Sequence, residues 1–146
     1  MTTNKILIVD DEPEIITIYK TALINAGFEV ASAENGADGV RLAKELHPSL
    51  ILMDMKMPEM NGIEAAGMLL ADPEMKGTRL VFLTAFSDPN QSEMDAQMAA
   101  MQAHLKDQQG EPSFDALTIE TGYIRKGGSL DNFIEVVRSY MPTKAE

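Results

Sequence analysis

The chain has no cysteine and no tryptophan. Without thiols there can be no disulfide framework, no thiolate zinc site and no cysteine nucleophile, a composition that suits a reducing compartment. Basic residues are scarce: 12 Lys and Arg stand against 23 Asp and Glu, a formal charge of −11. That balance argues against neutralising phosphates along DNA or RNA and against docking on an anionic membrane surface. No run is long and apolar enough to cross a bilayer. The short apolar stretch after Met1-Thr2-Thr3-Asn4-Lys5 is cut by Asp10, unlike a signal peptide. Against these absences, 45% of the 146 residues are apolar, enough to build one core. The expectation is a soluble, acidic, cytoplasmic protein folded as a single domain over 1–146.

Short apolar runs alternate with helical patterns. Lys5-Ile6-Leu7-Ile8-Val9 is apolar without alternation and suits a strand buried on both faces. Pro13 sits where a first helical turn accepts proline, and Ile15, Ile16, Ile18, Tyr19, Ala22 and Leu23 follow at helical spacing up to a cap at Gly27. Phe28 to Ser32 is a second, weaker strand. Asn35-Gly36 opens a helix through Val40, Leu42, Ala43 and Leu46, which His47-Pro48 stops. Leu50 to Met53 forms a third strand ending on Asp54, and Ile63 to Ala71 a helix. Leu80 to Leu83 is a fourth strand ending on Thr84, and Gly122 to Arg125 a fifth ending on Lys126. A last amphipathic helix carries Leu130, Phe133, Ile134, Val137 and Tyr140. This alternation predicts an α/β protein with a parallel sheet covered on both faces.

Thr84 and Lys126 are 42 positions apart, whereas a crossover helix with its loops needs roughly 15 to 25. Asp88-Pro89 fits a helix start, and Met94, Met98, Met101 and Leu105 mark a helical stripe. Gln108 to Ser113 breaks it, and a second short helix near Pro112 would carry Phe114, Leu117 and Ile119. Residues 88–118 are therefore expected to add helical structure between strands four and five. Whether the Met-rich helix covers the sheet or precedes the covering helix stays open, as does whether its stripe packs inward or meets a partner.

In an open parallel sheet, ligands bind at the carboxyl ends of the strands. Those ends carry Asp10-Asp11-Glu12, then Asp54, Thr84 and Lys126. Carboxylates meeting in one crevice repel unless a cation sits among them, and an oxygen-rich cluster suits Mg²⁺. An aspartate beside Mg²⁺, an amine and a hydroxyl is equipped to attack a phosphoryl group, so Asp54 is the candidate acceptor. A nucleotide or flavin cradle is disfavoured, because three acids after the first strand would repel a bound phosphate. His47, in a turn, and His104, beside the Met stripe, are not expected to be ligands.

Four segments, each at a strand end, carry a resemblance to a known family: Ile8-Val9-Asp10-Asp11-Glu12; Asp54-Met55-Lys56-Met57-Pro58-Glu59-Met60-Asn61-Gly62; Leu83-Thr84-Ala85; and Tyr123-Ile124-Arg125-Lys126. In them the chain resembles a response-regulator receiver domain of two-component signalling, of the stand-alone type. The resemblance implies a flavodoxin-like, doubly wound, five-stranded sheet of order 2-1-3-4-5. It implies Asp54 as phosphoacceptor, fed by a sensor histidine kinase or a phosphotransfer protein. Asp10, Asp11, Asp54 and the backbone carbonyl of Lys56 would hold Mg²⁺, and Thr84 and Lys126 would bind the phosphoryl oxygens. Tyr123 would act with Thr84 as the switch. A downstream protein would be met on the face formed by the last helix, the fifth strand and the segment before it. Gly127-Gly128 departs from the family, which usually has proline after the lysine.

Lys56 and Phe86 lie two positions beyond Asp54 and Thr84, where a long cation and a ring would hinder water; both are expected to lengthen the life of the phosphoryl group. The rivals are a receiver-like binding module that works without phosphate and an aspartyl-phosphate phosphatase or phosphotransferase. Lys56 counts against the second, since such enzymes commonly carry another Asp there. The chain is otherwise expected to catalyse nothing beyond its own phosphorylation and dephosphorylation.

Overall fold

A computed structural model describes residues 5–55, 57, 60, 62–75, 77–84, 118–126 and 129–141. Its elements are β1 (Lys5–Val9), α1 (Pro13–Asn25), β2 (Glu29–Ala33), α2 (Gly36–Leu46), β3 (Leu50–Asp54), α3 (Gly62–Leu70), a 3₁₀ turn (Pro73–Met75), β4 (Arg79–Thr84), β5 (Thr118–Arg125) and α4 (Leu130–Tyr140). All strand pairs are parallel, and the strands lie side by side as β2-β1-β3-β4-β5. The α/β class with a parallel sheet, expected from the alternating patterns, is the one the chain adopts.

Because successive strand residues point to opposite faces, the same strands feed two cores. Leu7, Val9, Ile51, Met53, Leu80 and Phe82 pack with Val40 and Ala43 of α2 and with Ala65, Ala66 and Leu69 of α3. Ile6, Ile8, Leu50, Leu52, Val81, Leu83 and Ile124 pack with Ile16, Tyr19 and Leu23 of α1 and with Phe133 and Val137 of α4. β3 is buried at all five positions, as its uninterrupted apolar run requires. Each such Leu or Ile stabilises the fold by about 1.5–3 kcal/mol relative to exposure. Tyr19 and Phe133 stack at 4.1 Å with ring planes 14° apart, clasping α1 to α4.

The helix boundaries follow local chemistry. Pro13 opens α1, and Gly27, at φ 99°, follows its end. The Asn35 side chain accepts the Asp38 N–H at 2.8 Å and caps α2. α2 ends at His47 in the left-handed conformation, φ 48°. Three close approaches among the described residues need glycine, the first at Gly36, where a methyl group would come within 2.8 Å of the Met60 carbonyl oxygen. A methyl group at Gly39 would come within 2.8 Å of Val9, and one at Gly62 would collide with the Asp54 carbonyl oxygen.

One expectation is corrected. Ile119, assigned to a short helix, lies in β5 opposite Leu80, and that strand begins at Thr118 instead of Gly122. The β-branched Thr118, Ile119 and Thr121 favour a strand, and an irregularity between Leu80 and Phe82 lets the longer strand keep register with β4. The helix at 88–105, its Met stripe, His104 and the break at 108–113 lie outside the described residues.

Candidate functional site

Three strands deliver acids and an amine to one end of the sheet. Asp10 follows β1 directly, its N–H bonded to the Ala33 carbonyl at 3.1 Å. Its Oδ1 accepts the Glu12 N–H at 2.9 Å, which fixes the carboxylate at the start of α1. Asp54 is the last residue of β3 and is 5% exposed. The next N–H, of Met55, bonds to the Leu83 carbonyl at 3.3 Å, and Gly62 N–H closes the following loop onto the Met55 carbonyl at 3.0 Å. Lys126 leaves the end of β5 and is 7% exposed.

The ammonium of Lys126 gathers the acids. Its Nζ lies 2.7 Å from Asp10 Oδ2, 3.2 Å from Glu12 Oε1 and 3.4 Å from Asp54 Oδ1. Burial by itself would lower the lysine pKa, but the Asp10 contact, the charges of Asp54 and Asp10 and the Glu12 hydrogen bond outweigh it and push it up to about 12. Asp10 is shifted upward because its burial outweighs the help it receives from Lys126 and the Glu12 N–H. Asp10 Oδ2 is buried and takes no well-aligned hydrogen bond, although the ammonium stands beside it.

Carboxylate oxygens of Asp10, Asp11 and Glu12 lie within 4.8 Å of one another. An all-oxygen set with a buried, poorly satisfied carboxylate oxygen fits a hard divalent cation such as Mg²⁺.

Asp10, Asp54 and Lys126, singled out in the sequence, thus meet in one pocket, with Asp11 in the acidic group at its rim. Thr84 ends β4 opposite Arg125, and Tyr123 lies in β5 opposite Phe82; their side chains lie outside the described residues, as do Lys56, Phe86 and Gly127-Gly128. The sequence marks Glu12 only as the third acid of a run. Its pairing with Lys126 spans 114 positions, and its only advance signal was its place beside the acidic pair.

A doubly wound parallel sheet with an acidic, lysine-bridged pocket at its carboxyl end defines a class, and the comparisons with known proteins agree with it. The response regulator receiver domain family matches residues 6–116, and the chain belongs to that family, whose members serve as signalling modules of two-component systems. It is similar to the polar-differentiation response regulator DivK of Brucella ovis, at 27% identity over 95% of this chain and 97% of that one. It is also similar to the regulatory protein AtoC of Escherichia coli, at 39% identity over 58% of this chain and 18% of that protein. Among solved structures, a CheY-like receiver domain protein from Methanospirillum hungatei superposes with a TM-score of 0.70 at 28% identity, covering 94% of this chain and 93% of the other. CheY4 of Vibrio cholerae shares the fold, with a TM-score of 0.73 at 21% identity over 96% of this chain and 100% of its own. No described helix is long and apolar enough to cross a membrane.

Proposed function

We propose that the chain is a phosphoacceptor response regulator whose Asp54 takes a phosphoryl group from a phosphohistidine on a sensor histidine kinase or a phosphotransfer protein. The observation that carries this reading is the convergence of Asp54, Asp10 and Lys126, with the ammonium 3.4 Å from the first and 2.7 Å from the second. A carboxylate oxygen of Asp54 forms the new O–P bond as the donor's N–P bond breaks, and the imidazole nitrogen leaves with the bonding pair. Lys126 supplies fixed positive charge where the transferring oxygens carry negative charge. Thr84, at the end of the neighbouring strand, supplies a hydroxyl donor to the same oxygens.

Asp10, Asp11, Asp54 and the backbone carbonyl of Lys56 would hold Mg²⁺. When bound, the ion offsets the charge of the acids and of the phosphoryl oxygens. The chain's own contribution is to keep Asp10 and Asp54 facing each other across Lys126 and to present one face of the Asp54 carboxylate to the donor.

In this reading the chain is one domain over 1–146 with the five-stranded flavodoxin-like order 2-1-3-4-5 and a helical insertion at 88–118. It works in the cytoplasm. Tyr123 and Thr84 relay the charge change at Asp54 to the face formed by the insertion, β5 and α4, where a downstream protein is met; Lys56 and Phe86 slow hydrolysis. Such an event is local electrostatics biasing a two-state surface.

Incubation with acetyl phosphate and Mg²⁺ followed by intact-mass measurement tests the assignment. The wild type is expected to gain one phosphoryl mass and Asp54→Asn none. A labelled Asp54→Asn protein would move the acceptor elsewhere, and an unlabelled wild type would reject the reading.

A further inference from the structure

Glu12 joins the acids around Lys126 and belongs to the acidic group at the pocket's rim, yet the phosphoryl-transfer reading gives its contact with the ammonium no task. Its Oε1 lies 3.2 Å from the ammonium, and its side chain is 61% exposed. The other two carboxylates on that ammonium, Asp10 and Asp54, are 0% and 7% exposed. Glu12 stands at the N-cap of α1, but its side chain makes no capping hydrogen bond. The common reason for an acid at a helix start is therefore not what holds it there.

An ammonium has three N–H donors, and among the described residues three carboxylates surround this one. A phosphoryl group on Asp54 replaces its single carboxylate charge with about two on strong acceptor oxygens, so it draws the ammonium toward itself and the hold of the other partners must loosen. Asp10 is badly placed to yield, because withdrawing the ammonium would strand its buried charge. Glu12 can re-enter water at little cost, as exposed ion pairs do.

We propose that Glu12 is a positioning residue: an exposed carboxylate latch that holds Lys126 over the acidic tip in the resting protein and competes with an arriving phosphoryl group for that ammonium. The latch rests on the receiver reading above. It slows capture from an anionic donor and speeds loss of the group once bound, since in both cases Glu12 bids for the cation that the phosphoryl oxygens need.

The test uses the full chain at saturating Mg²⁺ with acetyl phosphate, whose P–O bond breaks as the Asp54 O–P bond forms and acetate leaves. Glu12→Gln is expected to be phosphorylated about two- to fivefold faster at low salt, and the gain should shrink as salt screens the exposed charge. Glu12→Asp, which keeps the charge, should stay near the wild-type rate. The ¹⁵N signal of the Lys126 ammonium adds a readout that a structural role would not move. It is expected to sit, in resting Glu12→Gln, part of the way toward its position in the phosphorylated wild type.

Equal rates for wild type and Glu12→Gln would overturn the latch, and so would an unmoved ammonium signal. So would a tenfold loss of Mg²⁺ affinity in Glu12→Gln, which would place Glu12 on the metal instead. The two levels separate cleanly. A wild type that takes up no phosphate rejects the receiver reading and the latch with it, whereas a labelled wild type matched in rate by Glu12→Gln rejects the latch alone.

Discussion

Lys126 Nζ and Asp10 Oδ2 stand 2.7 Å apart with both side chains nearly sealed from solvent, which makes this contact the electrostatic centre of the pocket. Lys126→Met keeps a comparable stem and deletes the charge, leaving Asp10 and Asp54 buried side by side. The expected cost is about 3–5 kcal/mol at neutral pH without metal, shrinking as acid protonates the carboxylates. Urea unfolding at neutral and mildly acidic pH reads both; an equal loss at the two pH values would rule out repulsion as the cause.

The pH dependence has a definite sign on each side. Asp10 has its pKa raised by burial above the usual aspartate range, so the folded protein holds this proton more tightly than the unfolded chain. Its contribution to stability therefore falls as pH rises through the shifted pKa, and Asp10→Asn should remove that slope. Lys126 stabilises fully below the ordinary lysine pKa of 10.5 and loses that contribution, about 2 kcal/mol, as pH climbs toward about 12. Urea midpoints of wild type and Asp10→Asn across the acidic range check the first, and an NMR titration of the Lys126 side chain the second.

Mg²⁺ should stabilise the folded state by mass action. With free metal at one hundred times its dissociation constant the gain is about 2.7 kcal/mol, seen as a rise in melting temperature. Asp11→Asn should lose most of that rise while unfolding cooperatively. A rise of wild-type size in Asp11→Asn would remove this carboxylate from the ligand set.

Two glycines of α3 should respond in opposite directions. A methyl group at Gly62 meets the Asp54 carbonyl, whereas at Gly67 nothing lies within 4 Å. Gly62→Ala is expected to cost about 1–3 kcal/mol and to slow phosphorylation by shifting the backbone of Asp54. Gly67→Ala should add about 0.5–1 kcal/mol from helix propensity and leave phosphorylation unchanged. Thermal melts and acetyl phosphate kinetics on the pair decide it.

The sheet and the candidate pocket were legible to different depths. The apolar runs at Lys5–Val9 and Leu50–Asp54 announced strands buried on both sides, and such strands place their following residues at one edge; that is why Asp10 and Asp54 could be paired on paper. Asn35 and Pro13 marked helix starts because capping is local chemistry. The start of β5 escaped, since Thr118-Ile119-Glu120-Thr121-Gly122 lacks apolar alternation and owes its form to pairing with β4. The grip of Glu12 on Lys126 escaped for a similar reason: it joins the beginning of α1 to the end of β5, and only the closed sheet brings those points together.

The ring clasp between Tyr19 and Phe133 gives the pocket a second, uncharged anchorage. One ring belongs to the helix that springs from the acidic tip, the other to the helix that follows the amine. The two halves of the pocket are thus bolted together by hydrocarbon some way behind the ionic surface. The clasp itself carries no charge, so a proton, a metal ion or a phosphate arriving in the pocket rewrites the wiring without acting directly on this bolt.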